Sequence, residues 1–277
     1  MHPINVMING LPGNVSRVIA GHIQGDSRFN LLPWSLTGPE IEDPTCQVGP
    51  LTIKLVKPDN REAVLTDLGG QTEQPFIAVD YTHPSAANEN AACYCRHNLP
   101  FIMGTTGGDR AGLVNTVENS ETTAVISPNM AKQIVGFQAM MEWAAATFPD
   151  LFKGYSLTIK ESHQQGKADT SGTAKAMVRY FNALGLDFSA DEIQMERDPA
   201  RQADAWGIPE KYINGHGWHT YTLVSNDETV TFEFTHNVSG RDIYAHGTMD
   251  ALVFLHAKVQ AGQKGKVYSM IDVLKGH

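Results

Sequence analysis

The run Ile4-Asn-Val-Met-Ile-Asn9, followed at once by Gly10-Leu-Pro-Gly13, decides the fold. Its apolar residues predict a buried strand, and the glycines predict a tight turn before a helix from about Val15 to Ile23. In parallel α/β sheets a dinucleotide pyrophosphate binds at this turn, because the N–H groups of a helix N-terminus favour an anion. The spacing Gly-x-x-Gly-x-x-Ser alone leaves an ordinary strand-to-helix turn as an open alternative.

Short apolar runs alternate with helical patterns through the first half of the chain. The strands predicted after the first are Phe29 to Leu36, Leu51 to Val56, Phe76 to Asp80, Phe101 to Met103 and Thr123 to Ile126. Helices are predicted over about Ser85 to His97 and from about Asp109. This alternation predicts an α/β fold with a Rossmann-like, doubly wound parallel sheet.

After Pro128 the pattern changes to longer elements with alternating polarity. The predicted elements are a helix over Lys132 to Phe148, a strand over Tyr155 to Glu161, a helix over Thr173 to Leu184, and strands over Trp218 to Ser225 and Thr229 to His236. Together they predict an α+β substrate domain with a mostly antiparallel sheet.

Two domains follow from this division. We expect residues 1–127 to form the dinucleotide-binding domain and residues 128–243 to form the substrate-binding and oligomerisation domain. A closing helix from about Tyr244 to Val259 and the tail after it are expected to return residues 244–277 to the first domain.

The composition excludes several classes of function. The 277 residues are 42% hydrophobic and carry a formal net charge of −9, which argues against nucleic acid or an anionic membrane as partner. The cysteines are Cys46, Cys93 and Cys95, an odd count that favours a reducing compartment over a disulfide framework. No signal or transit peptide is predicted before Ile4, and no apolar run is long enough to span a bilayer, so a cytoplasmic location is expected.

The predicted cofactor site lies at the carboxyl ends of the parallel strands, where loops meet the ligand. The residues expected to contact the cofactor are Gly10, Gly13, Asn14, Val15, Ser35, Thr37, Tyr81, Thr82, Gly104, Thr106, Ser127, Asn129 and Met130. No carboxylate precedes Glu40 after the second strand, whereas Ser35 and Thr37 offer hydroxyls to a 2′-phosphate, with Arg17 nearby. We therefore expect NADPH, with NADH as an alternative cofactor. The alternative interpretation of the later glycines is that they only allow the chain to turn in its loops.

The predicted catalytic centre lies between Lys160 and Lys175. His163 offers a titratable imidazole and Lys167 an ammonium, four positions later. Ser171 is expected to cap a helix whose first residues, Gly172 and Thr173, present N–H and hydroxyl donors to a carboxylate. Arg241 is a second cation for a small dicarboxylic substrate. A structural histidine and a solvated lysine remain the alternative interpretation.

Other groups of histidines, cysteines and acidic residues do not predict a functional site. His216-Gly-Trp-His219 has metal-like spacing but no cysteine or carboxylate partner at that spacing, so no metal site is predicted. Cys93 and Cys95 fall in a helical pattern and point to different faces, which opposes a redox pair. The acidic segment from Asp187 to Asp204 is interpreted as a solvated face or an oligomer contact.

Several segments together resemble one family. The run Glu161-Ser-His-Gln-Gln-Gly-Lys-Ala-Asp-Thr-Ser-Gly-Thr-Ala-Lys175 is similar to the characteristic segment of the 4-hydroxy-tetrahydrodipicolinate reductases, and most similar to their plant-type branch. The other matching segments are Val79-Asp-Tyr-Thr-His-Pro84, Gly104-Thr-Thr-Gly-Gly-Asp-Arg110, Ser127-Pro-Asn-Met130 and His236-Asn-Val-Ser-Gly-Arg241.

The resemblance implies hydride transfer from NAD(P)H to a cyclic imino diacid in lysine and diaminopimelate biosynthesis. It gives His163 the role of general acid/base and Lys167 that of proton donor or substrate cation. It also implies a homo-oligomer, either a dimer or a tetramer. The chain departs from the family in the first turn, where Asn14 and Ser16 replace a basic residue and a glycine. Another two-domain NAD(P)-dependent oxidoreductase and a non-catalytic NAD(P) sensor remain as alternatives.

Overall fold

A computed structural model describes residues 2–71 and 75–276 of the chain. The strands are β1 Ile4–Asn9, β2 Phe29–Leu31, β3 Trp34–Leu36, β4 Thr45–Val48, β5 Leu51–Val56, β6 Phe76–Asp80, β7 Phe101–Met103, β8 Thr123–Ile126, β9 Tyr155–His163, β10 Gln194–Glu196, β11 His216–Ser225, β12 Thr231–Ser239 and β13 Lys266–Tyr268. The helices are α1 Asn14–Gln24, α2 Arg61–Gln71, α3 Ala87–Arg96, α4 Arg110–Glu118, α5 Lys132–Thr147, α6 Gly172–Ala183, α7 Pro199–Asp204, α8 Asp242–Gln260 and α9 Met270–Lys275.

The chain divides into two compact units. The first unit contains Met1–Lys132 and Asp242–His277, and the second unit contains Gln133–Arg241. Each has its own apolar core: Tyr94, Phe101 and Met103 are among the buried residues of the first, and Met177, Phe181 and Tyr221 among those of the second. The second unit is therefore an insertion in the sequence of the first.

The first unit is built on a parallel sheet, as the alternating pattern predicts. Its six strands run in the order β13-β8-β7-β6-β1-β2, and every neighbouring pair is parallel. The strand order reverses beside β1, because β2 lies on one side of it and β6 on the other. A parallel sheet binds ligands at such a reversal, at the carboxyl ends of the strands.

One predicted strand of this unit is wrong. Phe29 to Leu36 is two strands, which Pro33 separates: β2 joins the parallel sheet, and β3 joins a three-stranded sheet of order β3-β5-β4. Proline lacks an N–H group and interrupts a ladder of hydrogen bonds, which explains the break. The sequence pattern also does not predict β4, β13, α2 or α9 of this unit.

The second unit has a four-stranded sheet of order β10-β9-β11-β12. The long strands β9, β11 and β12 are antiparallel, and β10 is parallel to β9. Strand β9 extends two residues beyond the predicted end at Glu161, so His163 is its last residue rather than a loop residue. The segment expected to be a solvated face contains β10 and α7, with Glu196 and Gln202 buried.

No helix in residues 2–71 or 75–276 has both the length and the apolarity that a bilayer crossing requires.

Candidate active site

The glycine turn after β1 has a backbone that other residues would strain. Gly10 has a φ of +97°, and a Cβ built there would lie 2.4 Å from the Tyr81 carbonyl oxygen. Gly13 directly precedes α1, whose first turn carries no acidic residue. Gly13 and Asn14 are exposed, and Val15 is half-buried. A close backbone approach at an open helix N-terminus fits a pyrophosphate group.

Ser16 stands where a third glycine is common, and its side chain has a local partner. It is buried, and its hydroxyl donates to the Asn9 carbonyl at 3.2 Å. Ser16 therefore ties the first turn of α1 to the end of β1 without blocking the exposed face at Gly13 and Asn14.

Ser35 and Thr37 support this turn, a role that the sequence analysis did not anticipate. The Leu11 N–H donates to Ser35 Oγ at 3.3 Å, and Thr37 Oγ1 donates to the Leu11 carbonyl at 2.7 Å. Both hydroxyls are buried, so the structure gives them partners other than a 2′-phosphate. The cation beside the turn is Arg17, which is exposed and donates through Nε to the Pro12 carbonyl at 2.9 Å.

The loops after β6 and β7 lie against each other. A Cβ on Gly104 would lie 2.3 Å from Tyr81 Cζ, so the tyrosine ring covers this glycine. The Tyr81 hydroxyl forms a 2.8 Å hydrogen bond with Thr248 Oγ1, and burial raises the pKa of Tyr81. Thr106 is exposed, so its side chain is open to a ligand.

Buried Asp80 organises these two loops. At the end of β6 its carboxylate accepts hydrogen bonds from Thr82, Asn90, Tyr94 and Thr105 at 2.7–3.0 Å. Thr82 Oγ1 is thus engaged by Asp80, which leaves its backbone and methyl group for a cofactor. The sequence pattern predicts Asp80 only as the end of a strand.

The loop after β8 is held by its own side chains. Ser127 Oγ donates to the Asn129 carbonyl at 2.8 Å, and Asn129 Oδ1 accepts from the Ala131 N–H at 2.9 Å. Met130 is buried, and its carbonyl oxygen would lie 1.7 Å from a Cβ built on Gly247. These contacts fix the path of the loop at the carboxyl end of the sheet.

In the second unit, His163 lies beside a buried carboxylate. Residues two apart on a strand share a face, so Glu161 and His163 point the same way from β9. Glu161 Oε1 lies 3.6 Å from His163 Nδ1, and Glu161 Oε2 lies 3.7 Å from His219 Nε2 on β11. Burial raises the pKa of Glu161, but His163 and Arg197 outweigh it and lower the value to about 2. The carboxylate is therefore charged throughout the neutral range.

Arg197, which directly follows β10, joins this carboxylate to the Lys167 loop. Its Nη2 donates to Glu161 Oε1 at 2.5 Å, and its Nε donates to the Lys167 carbonyl at 2.7 Å. The Lys167 ammonium pairs with Asp169 Oδ1 at 2.8 Å and is only partly exposed. Arg197 thus fixes the loop while the ammonium of Lys167 faces a surface carboxylate.

The tip of α6 has the predicted cap. Ser171 precedes the helix, and its Oγ accepts from the Thr173 N–H at 3.2 Å. The Ser171 N–H donates to Glu161 Oε2 at 3.1 Å, which links the cap to the carboxylate beside His163. Gly172 is exposed and Thr173 half-buried, so the first turn of α6 can reach a ligand.

Arg241, the predicted second anchor, is the last residue of the second unit. Its Nη2 donates to the Asn214 carbonyl at 3.4 Å, and a Cβ on Gly215 would lie 2.7 Å from its Nη1. Its part in binding substrate stays a prediction.

Three imidazoles line up across neighbouring strands. His163, His219 and His236 belong to β9, β11 and β12, with ring centroids 5.0 Å apart for the first pair and 4.6 Å for the second. Burial lowers the pKa of His219 well below its usual value and that of His236 to about 4. His216 is not part of this row of imidazoles; its Nε2 forms a 2.8 Å hydrogen bond with Ser162 Oγ.

Among the residues that the structure describes, two clusters bring metal-ligating atoms together, and the carboxylate of each is already paired with a cation. Glu161, His163 and His219 form one, where the Arg197 guanidinium opposes a second cation. Glu62, Cys93 and His97 form the other, where Arg96 and His97 pair with Glu62. Burial raises the pKa of the Cys93 thiol to about 11, which disfavours the thiolate that a metal needs.

Some of the site residues that were not predicted could have been found from strand patterns in the sequence, and others could not. Strand alternation placed Glu161 on the face of His163. The β9–β11 pairing sets His219 opposite Glu161, and the β11–β12 pairing sets it opposite His236. Arg197 had no signal, because the three-residue strand before it, β10, is too short to show a periodic pattern.

Comparisons with known proteins agree with this architecture. Residues 4–130 match the family described as "Dihydrodipicolinate reductase, N-terminus" and residues 134–274 its C-terminus. A probable 4-hydroxy-tetrahydrodipicolinate reductase 1, chloroplastic, of Oryza sativa subsp. japonica is 44% identical over 99% of this chain and 79% of that protein. The reductase 2, chloroplastic, of Arabidopsis thaliana is 45% identical over 98% of this chain and 77% of that protein.

Two solved structures share the fold. The dipicolinate-bound dihydrodipicolinate reductase from Paenisporosarcina sp. TG-14 has a TM-score of 0.66 at 17% identity, covering 96% of this chain and 97% of that one. The C. glutamicum DAP dehydrogenase in complex with DAP has a TM-score of 0.53 at 12% identity, covering 98% and 94%.

The parallel sheet with its glycine turn, together with these relatives, defines a two-domain NAD(P)H-dependent oxidoreductase. Both parts of one family match, and together they cover nearly the whole chain. The chain belongs to the dihydrodipicolinate reductase family.

Proposed function

We propose that this chain catalyses the NAD(P)H-dependent reduction of 4-hydroxy-tetrahydrodipicolinate to tetrahydrodipicolinate, a step of lysine and diaminopimelate biosynthesis. The relatives bearing that reductase name support the reaction. The observation that carries the proposal is the joining of His163 and the capped tip of α6 through one buried carboxylate, Glu161. This cluster suits a small acid that must be held and protonated.

The cofactor residues fit a reduced dinucleotide, which supplies the hydride when bound. Gly10, Gly13 and the N-terminus of α1 would hold its pyrophosphate. NADPH is our first choice and NADH the alternative. Because Ser35 and Thr37 already bond Leu11, Arg17 is the residue we assign to a 2′-phosphate. Parallel titrations with NADH and NADPH test this, and equal affinities would contradict the assignment.

The substrate residues are assigned by their donors. The first turn of α6, with Ser171, Gly172 and Thr173, would bind one carboxylate, and Arg241 the other. His163 would deliver a proton from Nε2, since its Nδ1 faces Glu161. The Lys167 ammonium would exchange Asp169 for the developing negative charge of the substrate.

The test is steady-state oxidation of NADPH by the purified chain, with the imino diacid generated in situ. We expect turnover that depends on both ligands. Binding of both ligands without oxidation of NADPH would overturn the proposal and favour a sensor.

The domain roles, assembly and location are also proposed. We assign dinucleotide binding to residues 1–127 with 244–277, and substrate binding and oligomerisation to residues 128–243. The exposed strand β12, with Phe232 43% exposed at the sheet edge, supports a homo-oligomer, either a dimer or a tetramer. Light scattering tests this, and a monomer would refute it.

We propose the cytoplasm as the location of this protein. Two plant relatives are named chloroplastic, so subcellular fractionation is the test.

A further inference from the structure

Glu161 lies where several parts of the second unit meet. Its side chain is fully buried, and its oxygens face His163 and His219 on two neighbouring strands. They also accept the Ser171 N–H at the cap of α6. One carboxylate thus contacts both the imidazole proposed to move a proton and the helix tip proposed to bind substrate.

Arg197 extends this contact to the loop that carries Lys167. The guanidinium donates to four acceptors: Glu161 Oε1 and the carbonyls of Lys167, Asp169 and Glu196. A planar fork of donors suits such a site, because each N–H has a fixed direction. Arg197 therefore holds the backbone of this loop at two points, the carbonyls of Lys167 and Asp169.

The surroundings of His163 favour one orientation of its ring. Gln202 Nε2 donates to the His163 carbonyl at 2.7 Å and holds the strand end. Gly217 lies opposite on β11, and a Cβ there would lie 3.2 Å from His163 Nε2. The absent side chain leaves room at Nε2. The His163 Nδ1 atom is buried and has no hydrogen-bond partner, and Glu161 Oε1 lies 3.6 Å from it, just beyond hydrogen-bond distance.

We propose that Glu161 and Arg197 are a positioning pair, which holds His163 with Nδ1–H toward the carboxylate and Nε2 toward the substrate, and sets the path of the Lys167 loop. This inference rests on the proposed function. A carboxylate that accepts from one ring nitrogen selects the tautomer in which the other nitrogen meets the reactant. A buried ion pair of purely structural value would not select a tautomer.

The first test measures the tautomer directly, without turnover. In the full chain at neutral pH, nitrogen NMR of His163 is expected to show a protonated Nδ1 and a bare Nε2 whenever the ring is neutral. In Glu161→Gln the amide can donate or accept, so a mixture of the two tautomers is expected. Identical spectra in the two proteins would overturn the pair's positioning role.

The second test separates kcat from KM. Glu161→Gln is expected to lower kcat on the order of 10²-fold or more, as loss of an orienting carboxylate does elsewhere, with cofactor affinity unchanged. The matched control is Glu233→Gln, which removes an exposed carboxylate from β12 of the same sheet and is expected to leave kcat unchanged. Equal kcat values for Glu161→Gln and the unmodified chain would refute the proposal.

Arg197 variants keep the test decisive if Glu161→Gln does not fold. Arg197→Lys retains the positive charge but loses the planar fork of donors, so we expect a lowered kcat and a raised KM. Arg197→Met also loses the charge, so we expect a larger fall in kcat and a larger rise in KM. A folded Arg197→Lys protein with the kinetics of the unmodified chain would contradict the inference. If the unmodified chain shows no turnover, the proposed function fails, whereas the tautomer measurement still judges the pair.

Discussion

Gly10 sets the narrowest requirement at the cofactor turn. Its left-handed backbone and the nearby Tyr81 carbonyl leave no space for a Cβ. Gly262 also has a positive φ, of +72°, but has open space around it. An alanine at Gly10 would therefore meet both backbone strain and a steric clash, whereas an alanine at Gly262 would meet backbone strain alone.

We expect Gly10→Ala to weaken NADPH binding at least about tenfold, because the turn must shift away from the helix N-terminus to relieve the clash. Gly262→Ala bears a similar backbone cost without a clash and should change the affinity less than about twofold. Titration by cofactor fluorescence measures both. Equal affinities in the two variants would show that the turn does not hold the pyrophosphate.

His163 and Lys167 belong to the second unit, so their removal should spare the cofactor turn. We expect His163→Ala and Lys167→Ala each to lower kcat by about 10²- to 10⁴-fold, since each removes a proton-transfer or charge-stabilising group. The dissociation constant for NADPH should stay within about twofold of the original. Loss of NADPH binding in either variant would mean that these residues serve the cofactor instead.

Helix α8 approaches the loop after β8 so closely that it needs a glycine. A Cβ on Gly247 would meet the Met130 carbonyl, whereas a Cβ on Gly21 of α1 would have no atom within 4 Å. Both glycines lie inside helices of the first unit. Replacing them with alanine therefore gives the same chemical change in two different surroundings.

Gly247→Ala is expected to lower the free energy of unfolding by about 1–3 kcal/mol, because the backbone of α8 or of Met130 must move. Gly21→Ala should raise it by up to about 1 kcal/mol through helix propensity alone. Denaturant titrations of both variants measure the difference. A Gly247→Ala protein as stable as Gly21→Ala would rule out this close approach.

The elements that the sequence predicted best are those with strong local patterns. The buried run of β1 with its glycine turn, the alternating strands β11 and β12, and the Ser171 cap all appear where expected, within a few residues. Pro33 divided a predicted strand because a proline inside an apolar run leaves the pattern unchanged but removes a hydrogen-bond donor. Arg197 could not be predicted as part of the site, because a three-residue strand pairs through contacts distant in sequence.

At the scale of the whole molecule, stability should depend on pH through the buried histidines. Burial lowers the pKa of His236 from 6.5 to about 4 in the folded chain, and a charge on His163 acts in the same direction. The unfolded chain therefore binds more protons between these pH values, and unfolding becomes more favourable as pH falls. His219 contributes in the same direction. Glu161, with a folded pKa of about 2 against 4.5, adds a further loss below about pH 4.5.

Substituting His236→Phe keeps a ring in the stack but removes its titration. Between pH 6.5 and pH 4, we expect the free energy of unfolding of this variant to fall by about 2–3 kcal/mol less than that of the unmodified chain. Urea titrations across that range measure it. The control His246→Gln, at an exposed position on α8, should retain the full decline; identical slopes for His236→Phe and the unmodified chain would exclude His236 as the cause.

The insertion of the second unit also affects the order in which the protein is completed on the ribosome. Strand β8 receives its outer neighbour β13 only after about 140 further residues, the separation of Thr123 from its β13 partner Lys266. At about 5–20 residues per second, translation leaves this edge of the nascent sheet unpaired for roughly 7–28 s. An unpaired strand edge can pair with another chain, so we expect slowed elongation in this interval to favour aggregation.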